Sequence, residues 1–396
     1  MQGVTGGTRF ARLAATAVTL LGAVLAIPAA ASAATKVGAM YTQSNDPVDN
    51  QLIAFNRFSD GTLAEAQRVS TRGFGAPSVA CPAPLGISPC PITESQGSVA
   101  VTVGGGLVFV TNAGSDDISS FRVTAEGLEF VQLISSGGDY PESLTIHGRD
   151  LYVLDMVSGN IDGFEFTTHG VMTEIPGSNR GLVTPGVGGL AAQIGFDHVG
   201  STLTVSEHKT NLIDTFVIKH DVPGPAISNS SARTTPFGFD YDAYNHLVIS
   251  DATGGVGNGL TSTYSTSDGV LSPLDAGLTT DGTAPCWVLI TPDSRFVYVS
   301  NKISQTIAEY SIDSRGTLRL LGTVPIVGTD APFPEQLPTD KAISRDGRFL
   351  YAIVPDIYGG DTSFIEAWRV GVTGRLTFLS DTRRDLPVGL SGLAGW

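Results

Sequence analysis

The sequence is poor in basic residues: 23 Lys and Arg stand against 38 Asp and Glu, and the formal net charge is −15. A surface with this charge repels nucleic acid and anionic lipid headgroups. We therefore expect neither as a partner. Anionic substrates should also approach slowly, except where local positive charge offsets the field.

Cysteine is nearly absent, with three residues in the chain and no Cys-x-x-Cys pair. Cys81 and Cys90 lie nine positions apart in a proline-rich loop. We expect them to form a disulfide bond. Cys286 opens an apolar strand, which predicts a buried, inert thiol; a reactive thiol is the alternative.

The common catalytic signatures are missing too. The sequence contains no Gly-x-Ser-x-Gly, no His-Glu-x-x-His and no phosphate-binding loop. Gly254-Gly-Val-Gly-Asn-Gly259 resembles a nucleotide loop only superficially, because it lies between two strands and no helix follows it. The sequence therefore indicates chemistry only faintly.

One long uncharged segment is present, at the N-terminus. It runs from Leu13 to Thr35, follows Arg9 and Arg12, and contains the small-x-small site Ala31-Ser32-Ala33. This pattern predicts a secretory signal over residues 1–33, with a membrane anchor as the alternative because the segment could span a bilayer. Cleavage would leave a secreted protein with no membrane insertion and a net charge of −17.

Short β units recur along the rest of the chain. Pro292-Asp-Ser-Arg-Phe-Val-Tyr-Val-Ser-Asn301 has counterparts that start at Arg345 and His147, and each unit continues to a turn with Gly and a Leu two places later, as in Asp60-Gly-Thr-Leu63. Four short strands per repeat, without helical periodicity, are typical of a β-propeller blade.

The repeats predict a closed ring. Seven apolar inner strands can be counted, but the first unit, Val37 to Thr42, begins with the second strand of its blade. The last segment, Gly389 to Trp396, would supply the missing strand and remove the exposed sheet edges. We therefore predict an all-β fold, a seven-bladed β-propeller of four-stranded antiparallel blades closed by the C-terminal strand joining the N-terminal blade. It should form a single, monomeric domain over residues 34–396.

The propeller topology assigns the histidines to faces. Five lie in or beside turns on one side of the ring: His147, His169, His198, His220 and His246. Only His208 lies on the other side, which carries the inter-blade loops and the loops between second and third strands, where ligand sites usually open. We call this side the mouth face. His208 is thus a candidate general base, and a solvated loop histidine is the alternative.

Two further sets of polar residues are expected on the mouth face. The ends of the second strands carry Asn112, Asp155, Glu207, Asp251 and Asn301, with Asp356 in the last blade. These oxygens could hold a divalent cation or sugar hydroxyls, or could simply close turns. The inner strands begin with Gln96, Glu142, Gln193, Trp287, Asp340 and Lys341. Ionisable groups at the mouth of a narrow channel are poorly solvated, so Glu142 and Lys341 are the first candidates for functional residues.

The pattern from Pro292 to Leu318 resembles the lactonase-type seven-bladed propellers, which include 6-phosphogluconolactonase and carboxymuconate cyclases. Stretches such as Thr235-Pro-Phe-Gly-Phe239 are similar to a secreted subgroup of unassigned function. In the enzyme branches, the resemblance implies a Pro-His-type motif that opens one inner strand, with Arg and Glu nearby. The matching strand starts here, Tyr140-Pro-Glu-Ser143 and Leu190-Ala-Ala-Gln193, contain neither histidine nor arginine. A phosphate clamp is therefore not expected at the mouth.

Two functions remain open from the sequence. The first is a secreted hydrolase or cyclase of a neutral lactone, in which Glu207 and His208, or Glu142, activate water and Lys341 or a bound cation polarises the carbonyl. Ligand contacts would come from Gln193, Trp287, Asp340 and Asn301. The second is a non-catalytic propeller that binds a cell-envelope component, a carbohydrate or a protein partner.

Overall fold

The computed structural model describes residues 1–4, 6–7, 34–76, 96–253, 255–326, 337–355, 363–382, 386–387 and 389–396. The chain divides by its internal contacts into residues 1–34 and 35–396. The predicted signal segment, the Cys81 to Cys90 loop and Asp356 lie outside the described residues, apart from the first few positions of the signal. The disulfide and the signal cleavage therefore stay predictions.

Thirty strands in the described ranges form seven antiparallel sheets. From the centre outward, the first blade contains β30 (Ser391–Gly395), β1 (Lys36–Gln43), β2 (Gln51–Phe58) and β3 (Leu63–Ser70). The second contains β4 (Val99–Val101), β5 (Leu107–Asn112), β6 (Asp117–Thr124) and β7 (Gly127–Ser135). The third contains β8 (Pro141–His147), β9 (Asp150–Asp155), β10 (Asn160–Phe166) and β11 (Met172–Glu174), with β12 (Arg180–Gly181) also on β10.

The fourth blade contains β13 (Ala191–Phe196), β14 (Thr202–Glu207) and β15 (Leu212–Lys219), with β16 (Val222–Pro223) and β17 (Ile227–Ser230) both paired to β15. A 3-10 turn at Gly186–Gly188 precedes it. The fifth contains β18 (Pro236–Tyr241), β19 (His246–Asp251), β20 (Leu260–Ser267) and β21 (Val270–Thr279). The sixth contains β22 (Pro285–Ile290), β23 (Phe296–Asn301), β24 (Thr306–Ile312) and β25 (Leu318–Pro325). The seventh contains β26 (Lys341–Ile343), β27 (Phe349–Val354), β28 (Phe364–Val370) and β29 (Leu376–Asp381).

The inner strands close a ring. Each contacts the inner strand of the next blade, from β4 through β8, β13, β18, β22, β26 and β30 back to β4. The strand β30 pairs with β1, with Met40 opposite Gly395. This confirms the predicted seven-bladed propeller and its closure by the last strand.

The core lies between blades. The second strands β5, β14, β23 and β27 are buried along their whole length, because a neighbouring blade covers each of their two faces. The sequences of strands buried on both faces are typically continuous apolar runs of β-branched and aromatic residues. Phe-Val-Tyr-Val in β23 and Phe-Leu-Tyr-Ala in β27 follow this rule.

Tyrosines from the repeats join adjacent blades. Tyr298 donates a hydrogen bond to the Gly374 carbonyl oxygen in the next blade at 2.9 Å, and Tyr351 donates to the Gly61 carbonyl oxygen at 2.9 Å. Tyr152 does the same to the Asp221 carbonyl oxygen at 2.6 Å. Buried polar groups need partners, and the turn of the following blade provides one. The recurring Tyr and the Gly turn are therefore two halves of one inter-blade contact.

Candidate functional site

The mouth face is marked by β-bulges near the starts of inner strands. The pairing register shifts within β8, β13, β18, β22 and β30. A bulge bends its strand and changes the direction of the local side chains. The bulged positions include Glu142, Ala192, Phe237 and Trp287, so they fall at the same level of four successive blades.

Two aromatic side chains, Phe237 and Trp287, lie at the mouth-side starts of β18 and β22, and we call them the aromatic wall. Phe237 and Trp287 pack edge to face with ring centroids 5.6 Å apart, in a buried cluster with Ala192 and Cys286. The His208 ring meets Phe237 edge-on at 5.3 Å. These residues come from three successive blades and form a mostly apolar cluster, in which Trp287 is fully buried and Phe237 is 6% exposed. Cys286 is buried and is not in a disulfide.

His208 follows β14 on the mouth face, while the strand bounds put the other five histidines in or beside turns on the opposite side. Burial and the neighbouring Lys209 charge lower the pKa of His208 to about 4. Its imidazole is therefore neutral at neutral pH. A base with this pKa would titrate far below the usual range of histidine.

Glu142 is buried in the bulge of β8, with 6% of its surface exposed. The next residue, Ser143, accepts a hydrogen bond from the Ile194 amide at 3.2 Å and donates one to the Gln96 carbonyl oxygen at 2.6 Å. Glu142 is thereby fixed level with the starts of β4 and β13. It is the acidic side chain among the bulged positions of the mouth.

Lys341 and Asp340 lie inside the channel. The Lys341 Nζ donates to the Trp287 carbonyl oxygen at 2.6 Å and to Ser300 Oγ at 2.8 Å. Asp340 accepts from the backbone amides of Gly97 at 3.1 Å, Leu393 at 3.1 Å and Lys341 at 2.7 Å. Burial lowers the pKa of Lys341 to about 7 and raises that of Asp340 to about 6, and attraction between the two opposes both shifts.

Asp240 is a channel residue that sequence reasoning missed. It accepts hydrogen bonds from the Ile290 and Tyr241 amides, both at 2.8 Å, and burial raises its pKa to about 6. Asp240, Asp340 and Lys341 line a cavity of about 220 Å³ in the channel. A carboxylate inside the apolar run Pro236-Phe-Gly-Phe-Asp-Tyr241 was the signal that could have revealed it.

Gln193 and Gln96 connect blades and also line the channel cavity. Gln193 Nε2 donates to the Phe239 carbonyl oxygen and its Oε1 accepts from the Phe239 amide, both at 2.8 Å. Gln96 makes the same pair of bonds with Val288, at 2.7 and 3.0 Å. Each amide satisfies backbone groups that a bulge leaves without a strand partner.

The second-strand ends in the described ranges make hydrogen bonds within the protein. Asn301 donates to the Thr280 carbonyl oxygen and to Thr306 Oγ1, and Glu207 accepts from the Thr184 amide and from Thr210. Asn112, Asp155 and Asp251 are likewise bonded to residues of their own blades. Turn closure therefore accounts for them.

The same contacts test the suggested divalent cation. Within the described ranges, no three His, Cys, Asp or Glu side chains cluster as metal ligands would. The carboxylates of Glu207 and Asp251 accept hydrogen bonds from nearby side chains, and that of Asp155 accepts one through Oδ2. The described donor set therefore does not fit a cation at the mouth.

The comparisons with known proteins agree with this architecture. The family model described as lactonase, seven-bladed β-propeller, matches residues 46–181 and 261–381, which is more than half of the chain. The chain belongs to this family. No curated protein matches it.

Solved structures show the same fold at low identity. A candidate 6-phosphogluconolactonase from Bacteroides uniformis is 17% identical, with a TM-score of 0.65, over 90% of this chain and 99% of its own. The periplasmic gluconolactonase of Pseudomonas aeruginosa is 16% identical, with a TM-score of 0.59, over 89% and 98%. A hypothetical selenium-binding protein from Sulfolobus tokodaii is 11% identical, with a TM-score of 0.64, over 91% and 92%.

None of the helices within the described ranges has the length and apolarity that a membrane crossing requires.

Proposed function

We propose that this protein is a secreted, monomeric hydrolase that opens neutral lactones at the mouth of its channel. One observation carries the proposal: the bulged carboxyl of Glu142 lies in the same ring of strand starts as the apolar wall of Phe237 and Trp287. A carboxylate and apolar side chains at the same level of the ring are the groups that hydrolysis of an uncharged lactone would use. Membership in the lactonase family supports this chemistry.

Glu142 acts as the general base. It takes a proton from water as the water oxygen attacks the lactone carbonyl carbon, and it returns the proton to the ring oxygen as the acyl C–O bond breaks. The product is an open-chain hydroxy acid. Lys341, whose Nζ is held by the Trp287 carbonyl oxygen, donates a hydrogen bond in this proposal to the oxygen that becomes negative in the tetrahedral intermediate.

The substrate is uncharged in this proposal. No arginine or histidine opens an inner strand at the mouth, and the chain as a whole is acidic. A phosphorylated or carboxylated lactone would meet repulsion without a clamp. The N-terminal segment that resembles a secretory signal supports action outside the cytoplasm.

Hydrolysis of a panel of neutral γ- and δ-lactones, followed by acid release, tests the proposal. Glu142→Gln should lower kcat/KM by about 100-fold, which is typical for loss of an acid-base group. Glu174→Gln is the matched control, because Glu174 is an exposed carboxylate in the same blade. Equal rates in both variants would contradict the role of Glu142.

A second function is favoured by a different observation. Glu207, Asn301, Gln193 and Asp340 are all engaged by hydrogen bonds within the protein. Such a mouth could bind a sugar or a partner through its aromatic wall without chemistry. Binding of a neutral sugar that is lost in Phe237→Ala, with no hydrolysis across the panel, would support this function instead.

A further inference from the structure

A second cavity lies on the face opposite the mouth, at the seam where the ring closes. Its volume is about 360 Å³. Three arginines line it: Arg57 at the end of β2 in the first blade, and Arg345 and Arg348 in the turn between β26 and β27 of the seventh. We call it the seam pocket. Three guanidinium groups at one cavity are notable in a chain with a net charge of −15.

Arg57 is the unusual member. Only 4% of its surface is exposed, yet its Nε and Nη1 have no hydrogen-bond acceptor among the described residues. Its Nη2 donates to the main-chain oxygens of Val37 and Trp396, at 3.5 and 3.4 Å, and its charge contributes to the lowered pKa of Asp346. Buried N–H groups without an acceptor are disfavoured, so Nε and Nη1 are suited to donate to an anion that enters the pocket.

The backbone of the first blade makes room for this side chain. A Cβ atom added to Gly38 would lie 2.8 Å from Arg57 Nη2 and would also meet the Trp396 carbonyl oxygen. The glycine therefore allows the guanidinium to lie flat against β1. The register of β1 shifts between Lys36 and Gly38, which opens the strand at this point.

The acidic group in the pocket does not neutralise the three arginines. Asp346 is held by Ser344 Oγ at 2.6 Å, and its ion pair with Arg348 is loose at 3.9 Å. Arg345 donates to the Val103 carbonyl oxygen at 3.3 Å and is otherwise exposed. Among the lining side chains, three arginines therefore stand against one aspartate. An adjoining cavity of about 410 Å³ shares Arg345, Asp346 and Arg348 and adds Arg295 and Asp293.

We propose that the seam pocket binds a phosphate-type oxyanion, either free phosphate or the phosphate group of a larger molecule. Guanidinium groups donate pairs of parallel N–H bonds that match the spacing of phosphate oxygens. Arg57 would supply the buried donors, and Arg345 and Arg348 would close over the anion from the other blade. Because these arginines come from the two blades that meet at the seam, a bound anion also links the ends of the ring.

Calorimetric titration of the full chain with inorganic phosphate, and with glycerol 1-phosphate as a phosphomonoester, tests this site. We expect saturable binding of at least one of them, and the tighter of the two identifies the source of the anion. The double variant Arg345→Ala/Arg348→Ala should weaken binding by about tenfold or more, because charge-assisted bonds are lost. Both side chains are exposed, so the fold should tolerate the change.

Arg315→Ala is the matched control, because Arg315 is an exposed turn arginine on the same face and lies outside both cavities. Arg57→Met should abolish binding, and thermal unfolding in chloride shows whether that variant is folded. Phosphate should raise the melting temperature of the parent more than chloride at equal ionic strength, since it binds only the folded state. Binding to neither ligand, or equal binding by the double variant, would overturn the proposal.

Discussion

At the scale of single residues, three ionisable groups line the channel cavity: Lys341, Asp240 and Asp340. Each makes hydrogen bonds to a blade other than its own. Burial shifts the pKa of each group toward the value that favours its neutral form. Lys341 and Asp340 are adjacent at the start of an inner strand, and this position in the repeat identified them as candidates from the sequence. Asp240 was missed because only the closed ring brings it to the same cavity.

The lowered pKa of Lys341 has a consequence for stability. Between about pH 7 and the unfolded value of 10.5, the unfolded chain binds a proton that the folded protein has lost. Stability should therefore rise with pH in this range, by about 1.4 kcal/mol per pH unit for one group. Lys341→Met should lack this rise in urea unfolding at pH 7, 8 and 9. Lys219→Met, at an exposed strand end, should keep it; parallel curves for all three proteins would contradict the assignment.

His208 should not show an ordinary histidine titration. Because its pKa is lowered to about 4, the ring stays neutral from pH 5 to 8. We expect the ratio of kcat/KM between the parent and His208→Ala to be constant over this range. The contact with Phe237 predicts a higher KM in the variant, through lost packing. A step near pH 6 to 7 that disappears in His208→Ala would instead make His208 the base.

At the scale of elements, the repeats are explained by contacts between blades. The leucine after the Gly turn places its amide against a side chain of the preceding blade: Leu376 donates to Glu309 at 2.6 Å and Leu318 donates to Asp275 at 3.1 Å. With the tyrosine contacts, these bonds fix the spacing of turn and strand. The motif was readable because it is local, whereas its acceptors lie about one blade away in the sequence.

The strand β30 should be essential for the whole ring. Leu390 and Leu393 are buried in the cluster between the last and first blades, and loss of such a side chain costs about 3 kcal/mol each. A chain that ends at Pro387 should therefore lose its cooperative thermal transition, since it also exposes an edge of β1. A chain that begins at Ala34 is the control and should melt like the parent. If the shortened chain kept the parental transition, β30 would not be the closing strand in solution.

At the scale of the whole molecule, the sequence was sufficient for the fold and insufficient for the site. Blade number, strand order and closure follow from periodic apolar runs and turn residues, which act locally. The mouth depends on bulges that change which side chains meet, as at Glu142 and Phe237, and no periodicity reveals them. Gln193 and Asn301 were predicted as ligand contacts from their position alone, and the structure shows that their amides bond to neighbouring backbone.

The central claim is that a neutral lactone binds at the mouth, between Glu142 and the aromatic wall. A crystal structure of Glu142→Gln soaked with a lactone that the parent hydrolyses tests it most directly. We expect the intact lactone ring packed on Phe237, with its carbonyl carbon within reach of a water held by residue 142. A lactone bound on the opposite face, or one seated away from residue 142, would contradict it.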